Sequence, residues 1–498
     1  MASESVERSE SFTVFIPELE SLVGEIMEEW KVPGLAVVVV QNGEVVFVRP
    51  YGLRDVESGL KVTTDTQFQL MSVSKSFTAT GLAVLVDERR LDWKKPVREY
   101  IPEFRLRDAI ASDRVTVRDL LCHHSGLPRH DWIWLPGDLL PAQMLAAMRY
   151  LEPSDDIRNT FQYSNLGYLV ASMVAERVGG RGWAEFTRAL TDKLHMDVTF
   201  TVEELSAASD TAVPYAMEAD TCVRSNLWPV SVTAAGGMST SIASFANWLR
   251  FHLGRGEFEG QRFLSPDLIK ELQKPRVHVG TPEFAEYSDV HYGLGFRSHW
   301  YRGERVVWHG GGWTGTNALM MMLPDRDVGV AVLANNGMVP LFAPHILANY
   351  VFDRVCNKEP VPWLERFREQ RRKFVMQQDS DQQAGKATPR PTTQPCRDLG
   401  DYAGDYEHLG YGRITITHVE GKLHWAFRGM SEPLTHRYYD TFELPEAPKS
   451  LSGLLPGRLP LSFSTDREGN IAGVTAPLEP LLKDIVFARI VAGERASL

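Results

Sequence analysis

The stretch Ser72-Val73-Ser74-Lys75 is the most informative part of this sequence. It lies where a strand-like run, Thr66 to Met71 (TQFQLM), gives way to a helical pattern, Ser76 to Asp87 (SFTATGLAVLVD). Side chains three residues apart at the start of a helix share a face, so the Lys75 amine can reach the Ser72 hydroxyl. The helix N-terminus also favours negative charge that develops there. The stretch therefore predicts a serine activated by a lysine, although taken alone it also fits a helix start with a solvated lysine.

A second motif, Tyr163-Ser164-Asn165, precedes another helical pattern that begins near Leu166. A tyrosine hydroxyl that meets the Ser72 and Lys75 pair can act as general base and then as general acid. The Asn165 amide can bind a substrate carbonyl or orient the lysine. Taken alone, Tyr163 also fits a half-buried packing residue.

The third motif is His309-Gly310-Gly311-Gly312, within VVWHGGGWTG. It closes one strand pattern, and the next begins at Ala318. Glycines allow a ligand to approach the backbone closely, and a free N–H there would form an oxyanion hole with the N–H of Ser72. His309 can donate a hydrogen bond or assist proton transfer. Taken alone, the run also fits a glycine-rich hairpin turn with a surface histidine.

Composition narrows the classes of function. The chain has 498 residues, 43% of them hydrophobic, which is enough for one large core and a second domain. The net charge of −11 argues against a nucleic-acid partner or an anionic membrane. The N-terminus lacks the pattern of a signal peptide, and the longest apolar run, Leu35 to Val40, is too short to span a bilayer, so we expect a cytoplasmic protein. The four scattered cysteines indicate neither a zinc site nor a disulfide framework, and no metal or cofactor is expected.

The patterns divide the chain into three parts. Residues 1–375 carry the motifs, with strand patterns at both ends, a hairpin signal at Asn42-Gly43 and a helical block between them, which predicts an α+β domain. Residues 376–396 are polar and rich in Pro and Thr, as in an exposed linker. Residues 397–498 show short alternating strands, which predict a small antiparallel barrel or sandwich.

The three motifs, in this order, resemble the S-x-x-K, Y-x-N and K-T-G or H-x-G pattern of the serine β-lactamase and penicillin-binding-protein superfamily. Two further segments strengthen the resemblance: Thr116 to Pro128 (TVRDLLCHHSGLP) and Ala235 to Thr240 (AGGMST). The match covers Ile16 to Asp353 and is closest to the branch with class C β-lactamases, β-lactamase-like esterases and D-aminopeptidases. The tail, which begins at Asp401 (DYAGDY), resembles the lipocalin-like domain appended to some of these hydrolases.

The resemblance implies a β-lactamase-like antiparallel sheet flanked by helices, followed by a small all-β barrel. It also implies a role for each motif residue: acylated nucleophile for Ser72, activator for Lys75, proton shuttle for Tyr163, substrate contact for Asn165, second oxyanion N–H for Gly312 and the place of the K-T-G lysine for His309. Trp313 follows the glycine run and is a candidate for an apolar acyl pocket. Trp132 and Trp134, in the loop RHDWIWLPGD, fit either that pocket or packing under a long loop.

Two departures from the family pattern bear on activity. A histidine is mostly neutral near pH 7, whereas a lysine at the His309 position would bind the carboxylate of a β-lactam or of a C-terminal D-alanine. Strong β-lactamase activity is therefore not expected. No E-x-x-L-N segment supplies a deacylating glutamate, so Tyr163 or Lys75 would have to activate water.

The predicted function is a serine hydrolase that acts through a covalent acyl-enzyme on a small-molecule or peptide acyl substrate. The sequence does not choose between an esterase, a D-amino-acid-specific peptidase or amidase, and a weak β-lactamase. The same groups would serve an acyltransferase, a transpeptidase or a peptide cyclase. An alternative of another class is a catalytically silent binding or scaffold protein whose barrel holds an apolar ligand or drives oligomerisation, and a homo-oligomer is compatible with every reading.

Overall fold

A computed structural model describes residues 12–218, 221–337, 342–387, 392–444 and 458–491. The chain divides into two compact units. The first unit comprises Met1–Pro102, Val115–His124 and Gly167–Gln378. The second comprises Glu103–Arg114, Ser125–Leu166 and Asp379–Leu498. The second unit thus combines two internal stretches of the chain with its C-terminal part.

The helices and strands alternate irregularly along the chain. The helices are α1 (Ile16–Glu29), α2 (Ser74–Asp87), α3 (Ala109–Arg114), α4 (Val117–Leu121), α5 (Pro141–Ala147), α6 (Asn165–Gly179), α7 (Trp183–Lys193), α8 (Val202–Ala207), α9 (Thr233–Gly236), α10 (Ile242–Leu253), α11 (Pro266–Gln273), α12 (Phe342–Val355), α13 (Trp363–Ala387) and α14 (Leu399–Tyr402). The strands before the tail are β1 (Gly34–Gln41), β2 (Glu44–Asp55), β3 (Leu60–Lys61), β4 (Phe68–Gln69), β5 (Val198–Thr199), β6 (Tyr215–Glu218), β7 (Thr221–Arg224), β8 (Ser239–Thr240), β9 (Glu257–Phe258), β10 (Gln261–Arg262), β11 (Val277–His278), β12 (Tyr287–Tyr292), β13 (Arg297–Tyr301), β14 (Glu304–Trp313), β15 (Thr316–Leu323), β16 (Val328–Ala334) and β17 (Asn336–Gly337). Those of the tail are β18 (Gly404–His408), β19 (Gly412–Val419), β20 (Lys422–Phe427), β21 (Met430–Pro433), β22 (Thr435–Tyr438), β23 (Thr441–Leu444), β24 (Leu459–Thr465), β25 (Ile471–Ala476) and β26 (Ile485–Arg489).

The first unit is built on a nine-stranded antiparallel sheet, in the order β11-β12-β13-β14-β15-β16-β1-β2-β3. Its strand β1 (GLAVVVVQ) is buried almost throughout because helices cover both faces of the sheet. Val37 and Val39 join the core cluster that includes side chains of α1 and α12. Their neighbours in sequence point to the opposite face, where α10 packs. This arrangement confirms the predicted antiparallel sheet flanked by helices.

The hairpin predicted at Asn42-Gly43 is confirmed between β1 and β2. Asn42 has φ 53° and Gly43 has φ 77°. A type I′ turn requires positive φ at both central residues, which is why this dipeptide predicts the turn so well.

The segment predicted as a linker, 376–396, begins inside a helix, because α13 continues to Ala387. Glu369 pairs with Arg372 at 2.6 Å and with Lys373 at 3.7 Å, and such pairs three and four residues apart stabilise exposed helices. A solvent-exposed helix has as few apolar residues as a linker, so composition alone did not separate the two. Residues 388–391 of the segment lie outside the described residues.

The tail folds as a nine-stranded antiparallel sheet, in the order β21-β20-β19-β18-β26-β25-β24-β23-β22, which forms a nearly closed barrel. Its strands alternate between buried and more exposed side chains, as in β20, where Leu423, Trp425 and Phe427 are buried. The prediction of a small all-β barrel after the α+β domain is therefore confirmed. Among the residues that the structure describes, no helix combines the length and apolar character needed to cross a bilayer.

Candidate active site

Ser72 and Lys75 meet at the start of α2. Ser72 is half-buried in a 3₁₀ turn, Met71–Val73, and Met71 adopts φ 47°, which is uncommon for a residue other than glycine. Lys75 is completely buried, and its Nζ donates to Ser72 Oγ over 3.2 Å. The same Nζ donates to the carbonyl oxygen of Ala235 over 2.8 Å. These two hydrogen bonds hold Lys75 Nζ between the Ser72 hydroxyl and the Ala235 carbonyl.

The segment Ala235 to Thr240 (AGGMST) lies beside the Ser72 turn, and its Ala235 carbonyl is the second acceptor of Lys75 Nζ. Strand β4 pairs with β8, and Leu70 N donates to Met238 O over 2.8 Å. Met238 N in turn donates to Ser74 Oγ over 3.2 Å. These bonds fix α9, which carries Ala235, next to the first turn of α2.

The glycine run brings β14 into contact with the same turn. A Cβ placed on Gly311 would lie 2.1 Å from Leu70 O and 2.9 Å from Ser72 N. Only glycine allows a strand to pass so close to another backbone. Gly312 follows in the strand, in register with Asn317 of β15. The backbone proposed for the oxyanion hole therefore runs beside the backbone of Ser72.

Replacing Gly311 by alanine is expected to lower kcat/KM for an activated ester about 10²- to 10³-fold. The added methyl group must push β14 away from the Ser72 turn, which would displace the two predicted oxyanion donors, the N–H groups of Ser72 and Gly312, from each other. Overpacking of this kind also costs about 1–3 kcal/mol of stability, so the melting temperature is measured alongside. Gly24→Ala on α1, where a Cβ meets nothing within 4 Å, is the matched control. Native kcat/KM in Gly311→Ala would contradict the assignment.

His309 is buried in β14 and makes two hydrogen bonds. Its Nδ1 lies 2.8 Å from the carbonyl oxygen of Gly310, which can only accept, so the proton is on Nδ1. Its Nε2 then accepts from the hydroxyl of Tyr292 at 2.8 Å. Burial, together with the charges of Lys75 and Arg297, holds the pKa of His309 well below its ordinary value. This position therefore carries a neutral imidazole and provides no positive charge for a substrate carboxylate.

Three buried aromatic residues, Tyr168, His123 and Tyr292, pack around Lys75 and His309. None of them was predicted from the sequence to belong to the site. The Tyr168 ring lies 5.4 Å from Lys75 Nζ, and its hydroxyl donates to Leu121 O over 2.7 Å. The ring of His123 lies 5.3 Å from that of Tyr168 and 4.7 Å from that of Tyr292. In the sequence, His123 lies within the segment Thr116 to Pro128, and Tyr168 follows the second motif by three residues. These positions are the signals that could have identified them. Tyr292 lies near no motif and had no such signal.

Trp313 packs against Trp228, with ring centroids 4.8 Å apart. Both rings are half-buried. The Gln69 side chain holds the Trp228 backbone, because Nε2 donates to Trp228 O over 3.0 Å and Oε1 accepts from Trp228 N at 3.3 Å. Gln69 lies three residues before Ser72, so this clamp ties the tryptophan pair to the strand that leads to the serine. Trp313 was a candidate from its place after the glycine run, whereas no motif pointed to Trp228 or Gln69.

The structure places Tyr163 and Asn165 in the second compact unit, just before and at the start of α6. The guanidinium carbon of Arg129 lies 5.3 Å from the centroid of the Tyr163 ring. Asn165 Nδ2 lies 3.5 Å from Asp131 Oδ1. Arg129 Nε donates to Asp131 Oδ2 over 2.5 Å. The charged pair of Arg129 and Asp131 thus contacts Tyr163 and Asn165. The pair was not predicted from the sequence, although it lies in the loop quoted for Trp132 and Trp134.

Of the two tryptophans in that loop, Trp132 is buried against the tail barrel, 5.8 Å edge-to-face from Phe427. Trp134 is also buried and donates from Nε1 to Asp131 Oδ1 over 2.8 Å. These contacts favour packing over an acyl pocket for Trp132. Within the described part of the chain, no group of three or more His, Cys, Asp or Glu side chains is placed to hold a metal ion.

Comparison with protein families matches residues 19–342 to the model described as Beta-lactamase. The chain belongs to the beta-lactamase family. This confirms the family predicted from the three motifs, and the all-β barrel fits the predicted lipocalin-like domain. Residues 388–489, which span the barrel, match a domain of unknown function, DUF3471.

Relatives and solved structures agree with this beta-lactamase fold. Unguisins hydrolase ungD′ of Aspergillus campestris is 27% identical over 422 residues, which cover 80% of this chain and 77% of that protein. Protein flp of Staphylococcus aureus is 23% identical over 343 residues, which cover 66% and 65%. The octameric penicillin-binding protein homologue from Pyrococcus abyssi covers 95% of this chain and 99% of its own, with a TM-score of 0.63 and 23% identity. A class C beta lactamase from Rhodobacter sphaeroides covers 68% and 98%, with a TM-score of 0.55 and 20% identity. This fold supports serine hydrolase chemistry through an acyl-enzyme.

Proposed function

We propose that this protein hydrolyses an ester or amide through a covalent acyl-enzyme on Ser72, and that its acyl substrate needs no carboxylate at the His309 position. The observation that carries the proposal is the 3.2 Å contact between Nζ of the buried Lys75 and Oγ of the half-buried Ser72. A serine hydroxyl is a weak nucleophile until an adjacent base takes its proton.

In the proposed reaction, Lys75 acts in its neutral amine form: Ser72 Oγ attacks the substrate carbonyl carbon while its proton passes to the lone pair of Lys75 Nζ. The N–H groups of Ser72 and Gly312 stabilise the oxyanion of the tetrahedral intermediate. Collapse breaks the bond to the leaving group, which takes up a proton delivered by Tyr163 or Lys75. A water molecule, deprotonated by the same groups, then attacks the acyl-enzyme, and the acid leaves as Ser72 regains its proton. Trp228 and Trp313 would provide an apolar wall for the acyl group.

The neutral state of His309 supports the preference for substrates without a carboxylate. Its Nε2 already accepts from Tyr292, and its Nδ1 proton is directed at Gly310 O. A carboxylate brought to this position would lose its hydration without gaining an ion pair. The name of the fungal relative, a hydrolase, supports water as the acyl acceptor in preference to an amine.

Intact-mass spectrometry tests the proposal. The protein is exposed to a fluorophosphonate, an activated acyl ester and a penicillin, and any adduct is located by peptide mass mapping. We expect the first two reagents to label Ser72 and the penicillin to label it slowly. An adduct on another residue, or none with any reagent, would overturn the proposal.

Two esters that differ only in a free or a methylated acyl-side carboxylate test the substrate preference. We expect the methylated ester to react faster because it has no carboxylate to desolvate. Each 1.4 kcal/mol of free energy needed to desolvate the free carboxylate corresponds to about a tenfold difference in rate. A faster carboxylate ester would contradict the inference from His309. An added primary amine that diverts most of the product to an amide would favour the acyltransferase alternative.

A further inference from the structure

His130 lies between Arg129 and Asp131 and adopts a left-handed conformation, with φ 44° and ψ 44°. Positive φ is uncommon for residues other than glycine, although histidine adopts it more readily than most, and surrounding contacts hold His130 in this conformation. The residues on both sides of the kink contact Tyr163 and Asn165, as described above. His130 itself contacts the tail barrel.

Two loops of the barrel hold the kink. His130 N donates to Glu479 Oε2 over 2.7 Å, and Glu479 lies between β25 and β26. His130 Nε2 donates to the carbonyl oxygen of Glu152 over 2.9 Å, so Nδ1 accepts from the hydroxyl of Tyr411 at 2.7 Å. Tyr411 lies between β18 and β19. Burial lowers the pKa of His130 to about 4, so the ring is neutral at pH 7, as this hydrogen-bond pattern requires.

The next residues of the loop are held by a third barrel side chain. Arg428 Nη1 donates to the carbonyl oxygens of Trp132 and Ile133, each over 2.9 Å, and Nε donates to Asp138 Oδ2 over 3.1 Å. The Arg428 side chain is only 7% exposed, so these are not loose surface contacts. We call residues 129–138 the arm, since the barrel holds this segment at His130, Trp132, Ile133 and Asp138.

Trp132 packs into the apolar interior of the barrel. Its ring packs among barrel side chains that include Trp425, Phe427 and Leu461, and the space left between them is too small for a water molecule. At this position, the described part of the barrel therefore binds its own arm and offers no ligand cavity. This argues against the apolar-ligand alternative considered from the sequence.

On its other side, the arm sets the environment of Tyr163. Burial opposes the charge on Arg129, but the attraction and hydrogen bond of Asp131, with further attraction from Tyr163, raise the pKa of the Arg129 guanidinium. A permanent cation is therefore held 5.3 Å from the tyrosine ring. Such a cation stabilises negative charge that forms on the tyrosine oxygen during proton transfer.

We propose that the C-terminal barrel positions Tyr163 and Asn165 for catalysis, with Arg428, Tyr411 and Glu479 as positioning residues that act through the arm. The inference rests on the proposed function, in which Tyr163 carries protons. It makes the barrel a working part of the hydrolase, because the arm that holds the second motif is itself held by barrel side chains.

The full-length chain carrying Arg428→Ala tests this proposal against Arg413→Ala. Arg413 is the control for loss of a barrel arginine that does not touch the arm, because its more exposed side chain pairs with Asp405 and Glu407 within the barrel. We expect kcat for a neutral ester to fall about 10- to 100-fold in Arg428→Ala with KM changed less than about 3-fold, since a misplacement of about 1 Å has costs of this size. Arg428→Lys should recover part of the loss, and Arg413→Ala should keep native kcat. Hydrogen exchange should show lost amide protection in residues 129–138 and 163–165 of Arg428→Ala alone.

Tyr411→Phe removes one hydroxyl and keeps the ring, so it serves if Arg428→Ala folds poorly. We expect a smaller fall in kcat than in Arg428→Ala, with a modest fall in melting temperature because the buried Nδ1 of His130 loses its donor. Native kcat in both variants, or an equal loss in Arg413→Ala, would overturn the proposal. If the native chain shows no turnover that depends on Ser72, that result overturns the proposed function but does not decide whether the barrel holds the arm. In that case unchanged exchange protection in Arg428→Ala overturns the inference, whereas lost protection supports the hold of the barrel on the arm.

Discussion

Replacing Ser72 by alanine is expected to abolish the covalent adduct and to lower kcat for an activated ester by at least about 10⁴-fold. Losses of this size follow removal of a nucleophile, because binding and the oxyanion hole alone leave only a small residual rate. The substitution removes one oxygen from a half-buried position and with it one acceptor of Lys75 Nζ, while the bond from Nζ to Ala235 O does not involve Ser72. Intact mass and steady-state rates are measured on the same preparation.

Ser74→Ala is the matched control for this experiment. Ser74 belongs to the same motif, but its hydroxyl is buried and accepts from Met238 N at 3.2 Å. We expect this variant to keep the adduct at Ser72, with some loss of stability from the unpaired amide. An adduct that persists in Ser72→Ala would show that another residue is the nucleophile.

The fold was predictable from the sequence because its signals are local. Asn42-Gly43 fits one hairpin turn well, and the alternation in the tail matches the buried and exposed faces of strands such as β20. The contact between Ser72 and Lys75 was predictable for the same reason, since three residues of helix fix the distance between their side chains. Residues 376–387 were predicted as a linker but form the end of helix α13. An exposed helix and a linker share a polar composition, so composition could not separate them.

The environment of the motif residues was not predictable in this way. The Gln69 amide meets the Trp228 backbone 159 residues away, and His130 meets Glu479 349 residues away. Neither contact leaves a periodic trace in the sequence, because it depends on how two loops are placed by the whole fold. The tautomer of His309 is a further case, since the strands around Tyr292 must be in place before its Nε2 has a donor.

Replacing Lys75 by methionine is expected to lower kcat/KM about 10³- to 10⁴-fold, within the range for loss of a general base. Methionine is close to lysine in length and apolar volume, so the buried site stays filled. The change takes the Nζ donor from Ala235 O and should cost about 1–3 kcal/mol of stability. Fluorophosphonate labelling measures the acylation step directly, and a native labelling rate would exclude Lys75 as the activator.

Lys75→Arg separates two roles, because a guanidinium keeps the charge but does not accept a proton. We expect Lys75→Arg to be as slow as Lys75→Met, since the proposed lysine takes the proton of Ser72. Recovery of activity in Lys75→Arg would instead assign the lysine an electrostatic role and leave proton transfer to another group.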